Sequence, residues 1–336
     1  LPLVIIDTGG EEIPGEPVEL GDGTTVFTTT ENGEEMLGAR ISILDDESHN
    51  HHPSDAPDLE TDSLIRIRGN SSRYFDKKSY LIRFTEQDGD YADHPVMGMD
   101  AHYEWALYGP YLDKSLIRNY MWYNIAGEMM GYAPNVRFCE VILNGEYQGL
   151  YLMTETITNG EDCRVDVSEP VGTSTATGYV LRLDRGKEND LKNIETFTYY
   201  TYLISRARGL LLNIEYPRSG SLTGEMSDAI EQEFSDFEKA LYSFDYNTHD
   251  YGYQSYIDVN SFVDYFISMS LRRITTPVFY PPISTRTSAA DTNWWYGTLT
   301  TVAATISTIS SQSPFRCKTC PGRKCLPATR TTTSGS

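Results

Sequence analysis

Apolar and polar residues alternate over much of the first half of the chain. Leu64, Ile65 and Ile67, then Tyr80, Ile82 and Phe84, are interleaved with polar or charged positions over 64–68 and 79–84, the period of a strand with one buried face. Residues 136–143 and 147–154 are two further apolar-rich runs separated by Asn144 and Gly145, the pair that most favours a two-residue hairpin turn. Residues 1–10, 26–30, 39–44, 105–111 and 178–184 also read as strands, bounded by turns rich in Gly or acidic residues. Elsewhere the spacing becomes helical. Leu116, Ile117, Tyr120, Met121 and Ile125 recur at three- and four-residue intervals between Asp113, a good N-cap, and Gly131, a suitable stop. Ile230, Phe234, Phe237, Leu241 and Phe244 predict a helix with one apolar stripe and an acidic opposite face. Asp258 caps a further helix through 261–266.

Charge narrows the classes of partner. The 336-residue chain carries 48 acidic and 27 basic residues, a formal net charge of −21. That balance argues against nucleic acid and anionic membrane surfaces, and it suits a basic protein. No apolar run is long enough to span a bilayer. The sequence starts at Leu1 without Met, as expected if a leader has been removed or lies outside this piece. The loop 45–53 gathers His49, His51 and His52 beside carboxylates, but its spacing fits no familiar metal site and reads as a solvated acidic loop. Cys139 is expected as a core thiol and Cys163 in a loop. Cys317, Cys320 and Cys325 lie in a tail with no nearby His to complete a zinc site.

The segment with the most chemistry joins the strands 64–68 and 79–84. It reads Arg68-Gly-Asn-Ser-Ser-Arg73 and reaches Lys77-Lys78. Exposed backbone at Gly and Ser, beside a lysine, suits a phosphate; the same composition also makes an ordinary β-turn. These runs, with Asp113-Lys-Ser-Leu-Ile-Arg-Asn119 and Leu143-Asn-Gly-Glu-Tyr-Gln-Gly-Leu-Tyr151, resemble the spore coat protein H (CotH) kinase family, in the family's order. The resemblance extends from the N-terminus to about Phe266. It implies an atypical protein kinase that uses ATP and Mg²⁺ or Mn²⁺ and phosphorylates Ser/Thr of secreted or spore-coat proteins, some of them basic and Ser-rich. It further implies an extracellular, cell-surface or spore-coat location. The implied fold is α+β and divergently protein-kinase-like, with a β-rich N-lobe and a truncated helical C-lobe. On this resemblance Arg68, Ser71, Ser72, Lys78, Arg118 and Asn119 bind the nucleotide, and Met153 and Glu155 lie at a hinge facing the adenine. Glu128, in the last turn of the helix after Asp113, is poorly placed to pair with the strand lysine. The competing reading is a non-catalytic surface or coat module that binds a partner protein or polysaccharide, with the many tyrosines as stacking surfaces.

The composition changes after about Phe266. Ser and Thr become abundant and acids nearly vanish. The family's catalytic Asp loop and the strand ending in Trp-Asp-Phe are missing from this frame, and neither Asp184 nor Asp264 matches them. If the third base of each codon from Met269 onward begins a new codon, Trp294-Trp295-Tyr296 fixes two valines and restricts the following codon to Trp or Arg. Permitted bases then spell the expected Trp-Asp-Phe. We therefore divide the chain into a β-rich lead-in at 1–62, an incomplete CotH kinase-like domain at 63–266, and an out-of-frame tail at 267–336. A chain of this kind lacks the aspartates for metal binding and catalysis and is expected to be inactive.

Overall fold

An alternating strand must bury its apolar face, and here most strands do so by curling into a ring. The computed structural model describes residues 1–46, 48, 50–69, 71–130, 133–157, 178–184, 192–193 and 211–271. Its strands in chain order are β1 (Leu3–Asp7), β2 (Pro17–Glu19), β3 (Thr25–Phe27), β4 (Leu37–Leu44), β5 (Leu59–Arg68), β6 (Ser79–Thr85), β7 (His94–Val96), β8 (Met99–His102), β9 (Glu104–Tyr108), β10 (Val136–Leu143), β11 (Glu146–Glu155), β12 (Val180–Asp184), β13 (Lys192–Asn193) and β14 (Leu211–Tyr216). The helices are α1 (Arg118–Met129), α2 (Gly224–Leu241) and α3 (Val259–Leu271). None of the described helices is long and apolar enough to cross a membrane.

Seven strands form a closed barrel in the order β1-β10-β11-β9-β6-β5-β4. Neighbours are antiparallel except at the seam, where β1 runs parallel to β10, Leu3 facing Glu140 and Ile6 facing Leu143. The interior is filled by alternate side chains. Val4, Ile6, Ile41, Ile65, Ile82, Phe84, Trp105, Leu107, Cys139, Val141 and Met153 share one core cluster, as expected for a barrel too narrow to hold a cavity. The β7–β8 hairpin adds Val96, Met97 and Met99 to that cluster and plugs the end where β6 stops and β9 begins. At the opposite end, Asn144 (φ 50°) and Gly145 (φ 83°) make the β10–β11 turn with both residues left-handed. Asn144 also fastens the seam: its Oδ1 accepts from the Thr8 amide at 2.9 Å and its backbone N–H donates to Ile6 at 2.9 Å.

This architecture corrects the kinase-like α+β expectation. Among the described residues strand outweighs helix, the ring is closed, and the helices number three, of 12, 18 and 13 residues. A β-rich lobe beside a helical lobe is not what forms. The physical reason is pairing at long range: β1 and β4, from the lead-in, lie beside β10 and β5 and leave no open sheet edge between them. The first helix also starts later than its spacing suggests. Leu116 takes a left-handed φ of 63°, and Asp113 spends its carboxylate on the Ser115 and Arg118 amides at 3.1 and 2.9 Å. Cys139 is buried as expected, and burial pushes its thiol pKa up to about 12. The remaining cysteines, and residues 272–336 of the expected tail, lie outside the described residues.

A second, smaller unit packs the sheet β12-β14-β13 against α2. Tyr179, Leu181, Ile214 and Ile230 form its core with Phe234 and Phe237. Thr223 caps α2 by accepting from the Met226 amide at 3.2 Å. Buried charge links this unit to the barrel. Glu104, 5 % exposed, accepts from Arg83 Nε at 2.9 Å and lies 3.4 Å from Arg218 Nη2, which belongs to the turn after β14. Burial alone would raise the Glu104 carboxyl, but Arg218 and Arg83 outweigh it and hold the carboxyl below its ordinary range.

Two outcomes follow. Trp105, fully buried with its indole N–H donating to the His102 carbonyl at 2.8 Å, should cost roughly 3–5 kcal/mol on Trp105→Ala, read as a lower urea midpoint at constant m-value. Glu104 contributes stability that is complete above its unfolded-state pKa, near 4.5, and is lost as pH falls through the lower folded-state value. Glu104→Gln should flatten that acid limb in urea titrations. At neutral pH it should cost about 1.5–3 kcal/mol, because two half-buried guanidinium groups lose a shared counter-charge and only Arg218 keeps another, Glu215.

Candidate functional site

With the interior filled by side chains, the residues with the most chemistry stand at the rim opposite the β7–β8 hairpin. That rim is built from the β5–β6 turn, the segment after β9, the β10–β11 hairpin and residues 14–16 of the lead-in. Arg68 ends β5 opposite Ser79. Ser71 and Ser72 open a short 3-10 helix ending at Tyr74. Gly69 makes the turn possible: its φ is 116°, and a Cβ there would lie 1.9 Å from Ser72 Oγ. Arg73 folds back over the turn, donating to the Gly69 carbonyl at 2.6 Å and the Gly15 carbonyl at 3.2 Å, with its guanidinium 4.1 Å from the Phe27 ring centre.

The two lysines follow. Lys78 Nζ donates to Glu16 Oε2 at 2.9 Å and to the Arg73 carbonyl at 2.7 Å. Lys77 Nζ donates to the Gln148 carbonyl at 3.1 Å and lies 4.4 Å from the centre of the Tyr151 ring. Burial lowers the Lys77 ammonium pKa from its ordinary range. Gly109 sits against both: a Cβ there would come 2.5 Å from the Lys78 carbonyl oxygen and 3.1 Å from Lys77 Cγ. Beyond it, the Tyr111 hydroxyl donates to Asp76 at 3.0 Å and its ring stacks on Phe75.

Of the residues expected at a nucleotide site, the structure brings Arg68, Ser71, Ser72 and Lys78 to this one turn. Arg118 opens α1, half-exposed, its Nε 3.6 Å from Asp113. Asn119 is buried beneath the rim beside Tyr108, whose phenol is pushed up to about 12, chiefly by burial. Met153 is fully buried in the barrel, with Arg137 and Leu107 paired on its two sides. Glu155 is buried too, accepting from the Asn135 amide at 2.7 Å. It lies level with Trp105, where Leu152 is level with Tyr108, so it is about 10 Å down the barrel from the rim. The structure therefore places Met153 and Glu155 away from the turn that joins β5 and β6.

Glu16, Gly109, Gln148 and Tyr151 complete the rim without having been singled out in the sequence. A polar pair at a strand mouth was the available signal, since adjacent residues of extended chain diverge and must meet different neighbours.

The rim's chemistry fits the phosphate end of a nucleotide: cations, a glycine turn and a Ser-led 3-10 helix converge. It does not fit a divalent cation. Among the described residues no three His, Cys, Asp or Glu side chains gather to hold a metal. In the histidine loop, His52 Nδ1 is 2.8 Å from Ser54 Oγ, and His49 lies outside the described residues. A separate cleft of about 560 Å³ beside β4 and β5 is lined by Glu11, Glu31 and Glu34 with Met36, Leu37 and Leu64; its carboxylates repel phosphate.

No curated protein matches this sequence. Residues 65–275, more than half of the chain, match the family described as CotH kinase protein. The matched segment opens two residues before the end of the Ile65–Ile67 core pair and contains the whole glycine–serine–lysine turn. The chain belongs to the CotH kinase protein family.

Proposed function

We propose that this chain is the nucleotide-binding portion of a CotH-type protein kinase, one that transfers the γ-phosphate of ATP to Ser/Thr of secreted or spore-coat proteins. The observation that carries this reading is the convergence of Arg68, Ser72, Arg73, Lys77 and Lys78 on one barrel rim, within the segment that matches the family. Phosphoryl transfer relies on positioning and on electrostatic stabilisation of the phosphates. A rim fixed by β-strands supplies the first, and its cations supply part of the second. When bound, Mg²⁺ or Mn²⁺ would neutralise the triphosphate further. The described residues offer no acid set for it, so the role we assign to this polypeptide stops at holding the phosphates. The catalytic and metal-binding aspartates belong, on this reading, to a register that the polypeptide does not use after about Phe266. The charge of −21 suits a basic, Ser-rich protein as the substrate of an intact relative, and an extracellular or coat location accords with that class.

The rival role, a non-catalytic coat or surface module, draws on exposed aromatics such as Tyr74, Tyr147 and Tyr251, which are 53, 63 and 76 % exposed. One pair of measurements separates the two. In differential scanning fluorimetry, ATP with Mn²⁺ should raise the melting temperature, by an amount equivalent to roughly 2.7 kcal/mol when ATP is at a hundred times Kd. Radiolabelled γ-phosphate should not be incorporated by the chain as written, and should be incorporated once the neighbouring frame is restored. A melting temperature indifferent to ATP would favour the binding module; restored frame without autophosphorylation would remove the kinase assignment.

A further inference from the structure

Lys77 and Lys78 are adjacent in sequence but are used differently. The Lys78 ammonium is consumed inside the fold, by the Glu16 carboxylate and the Arg73 carbonyl, and its side chain is only 17 % exposed. It clasps the lead-in to the turn. Lys77 has no carboxylate among its described partners; it has one carbonyl and one ring face. That carbonyl is aimed by a bulge in β11. Val141 faces Gly149 and Ile142 faces Tyr147, which leaves Gln148 as the extra residue. Next to it, Gly149 has a φ of 82°, and a Cβ placed there would meet nothing within 4 Å except Lys77 Nζ, at 3.5 Å. Among the described residues space is therefore open beside the ammonium at Gly149, while Gly109 packs against the Lys77 stem at Cγ and the Tyr151 ring faces Nζ.

We infer that Lys77, rather than Lys78, is the cation that this rim presents to a phosphate group, and that Lys78 shapes the turn. This rests on the nucleotide-binding role proposed above. A lysine ammonium carries three donors, and Lys77 spends one on Gln148. Two N–H groups and an uncancelled charge remain for an anion, in surroundings dry enough to strengthen the contact. Partial burial already disfavours the charged form of Lys77, and an arriving phosphate would restore that preference.

The test uses the intact chain. Wild-type protein is acetylated with an N-hydroxysuccinimide ester, with and without ATP, and modification is resolved by residue in a mass spectrometer. Calorimetric titration with ATP is run on wild type, Lys77→Met, Lys77→Arg and Lys78→Met. ATP should protect Lys77 and leave Lys78 unchanged. Lys77→Met should weaken ATP about tenfold or more, and Lys77→Arg should recover part of the loss. Lys78→Met should act mainly on the melting temperature and weaken ATP less than Lys77→Met does. Protection of Lys78 alone, or ATP affinity that survives Lys77→Met, would overturn the assignment. Should Lys77→Met fail to fold, the protection pattern of the wild type decides. Wild-type protein that binds no ATP in calorimetry would instead remove the nucleotide-binding role, and this assignment with it.

Discussion

Barrel closure depends on one parallel seam. Residues 3–6 lie along 140–143, and the same strand pairs on its other side with β4. Remove β1 and two long edges open, each with a row of unpaired backbone groups, while Val4 and Ile6 leave the core. The seam also sets the rim. Once β1 is held by Asn144, the chain leaving it passes over the top of β5, where Pro14 accepts from the Ile67 amide at 2.8 Å. Gly15 can lie that close because it has no side chain: a Cβ would sit 2.8 Å from the Ile67 carbonyl oxygen. Glu16 is then delivered to Lys78. A feature at the mouth is thus fixed by backbone pairing at the wall.

Charge is distributed with the same economy. In a chain with a large acidic excess, three half-buried cations among the described residues each meet a specific acid: Arg83 and Arg218 bracket Glu104, and Lys78 meets Glu16. Such pairs add little net stability in exchange for their desolvation, but they are costly to break, so they fix geometry. Lys77 is different. Its contacts are a peptide carbonyl and an aromatic face, which orient the ammonium without cancelling its charge. An anion-binding group needs that combination, and the rest of the fold keeps water from the core below it.

Local pattern made many of the elements legible. Alternation located β5 and β6, Asn144-Gly145 located the hairpin, and the apolar stripe from Ile230 to Leu241 falls within α2. Closure was not legible, because it arises from pairing between residues such as Thr8 and Asn144 that are 136 positions apart. A lead-in strand and a barrel wall have the same alternation. The turn from Gly69 to the lysines was readable for the same local reason, whereas Glu16 reaches Lys78 across 62 positions. Burial was the hardest property to foresee. Met153 and Glu155 close a short run that is apolar from Leu150 to Met153 and ends in Thr154 and Glu155, and only the pairing of β11 on both sides shows that its polar end is enclosed too.

The seam has a consequence for how the protein is made. On a ribosome, β1 emerges well before β10, and at about 5–20 residues per second the 136 positions between Thr8 and Asn144 represent an interval on the order of ten seconds. During that time β1, β4, β5 and β6 can assemble as a sheet, with one flank of β1 still waiting for its neighbour. The nascent chain must therefore shelter that flank until the hairpin carrying Asn144 arrives, which makes this period its most vulnerable to misassembly.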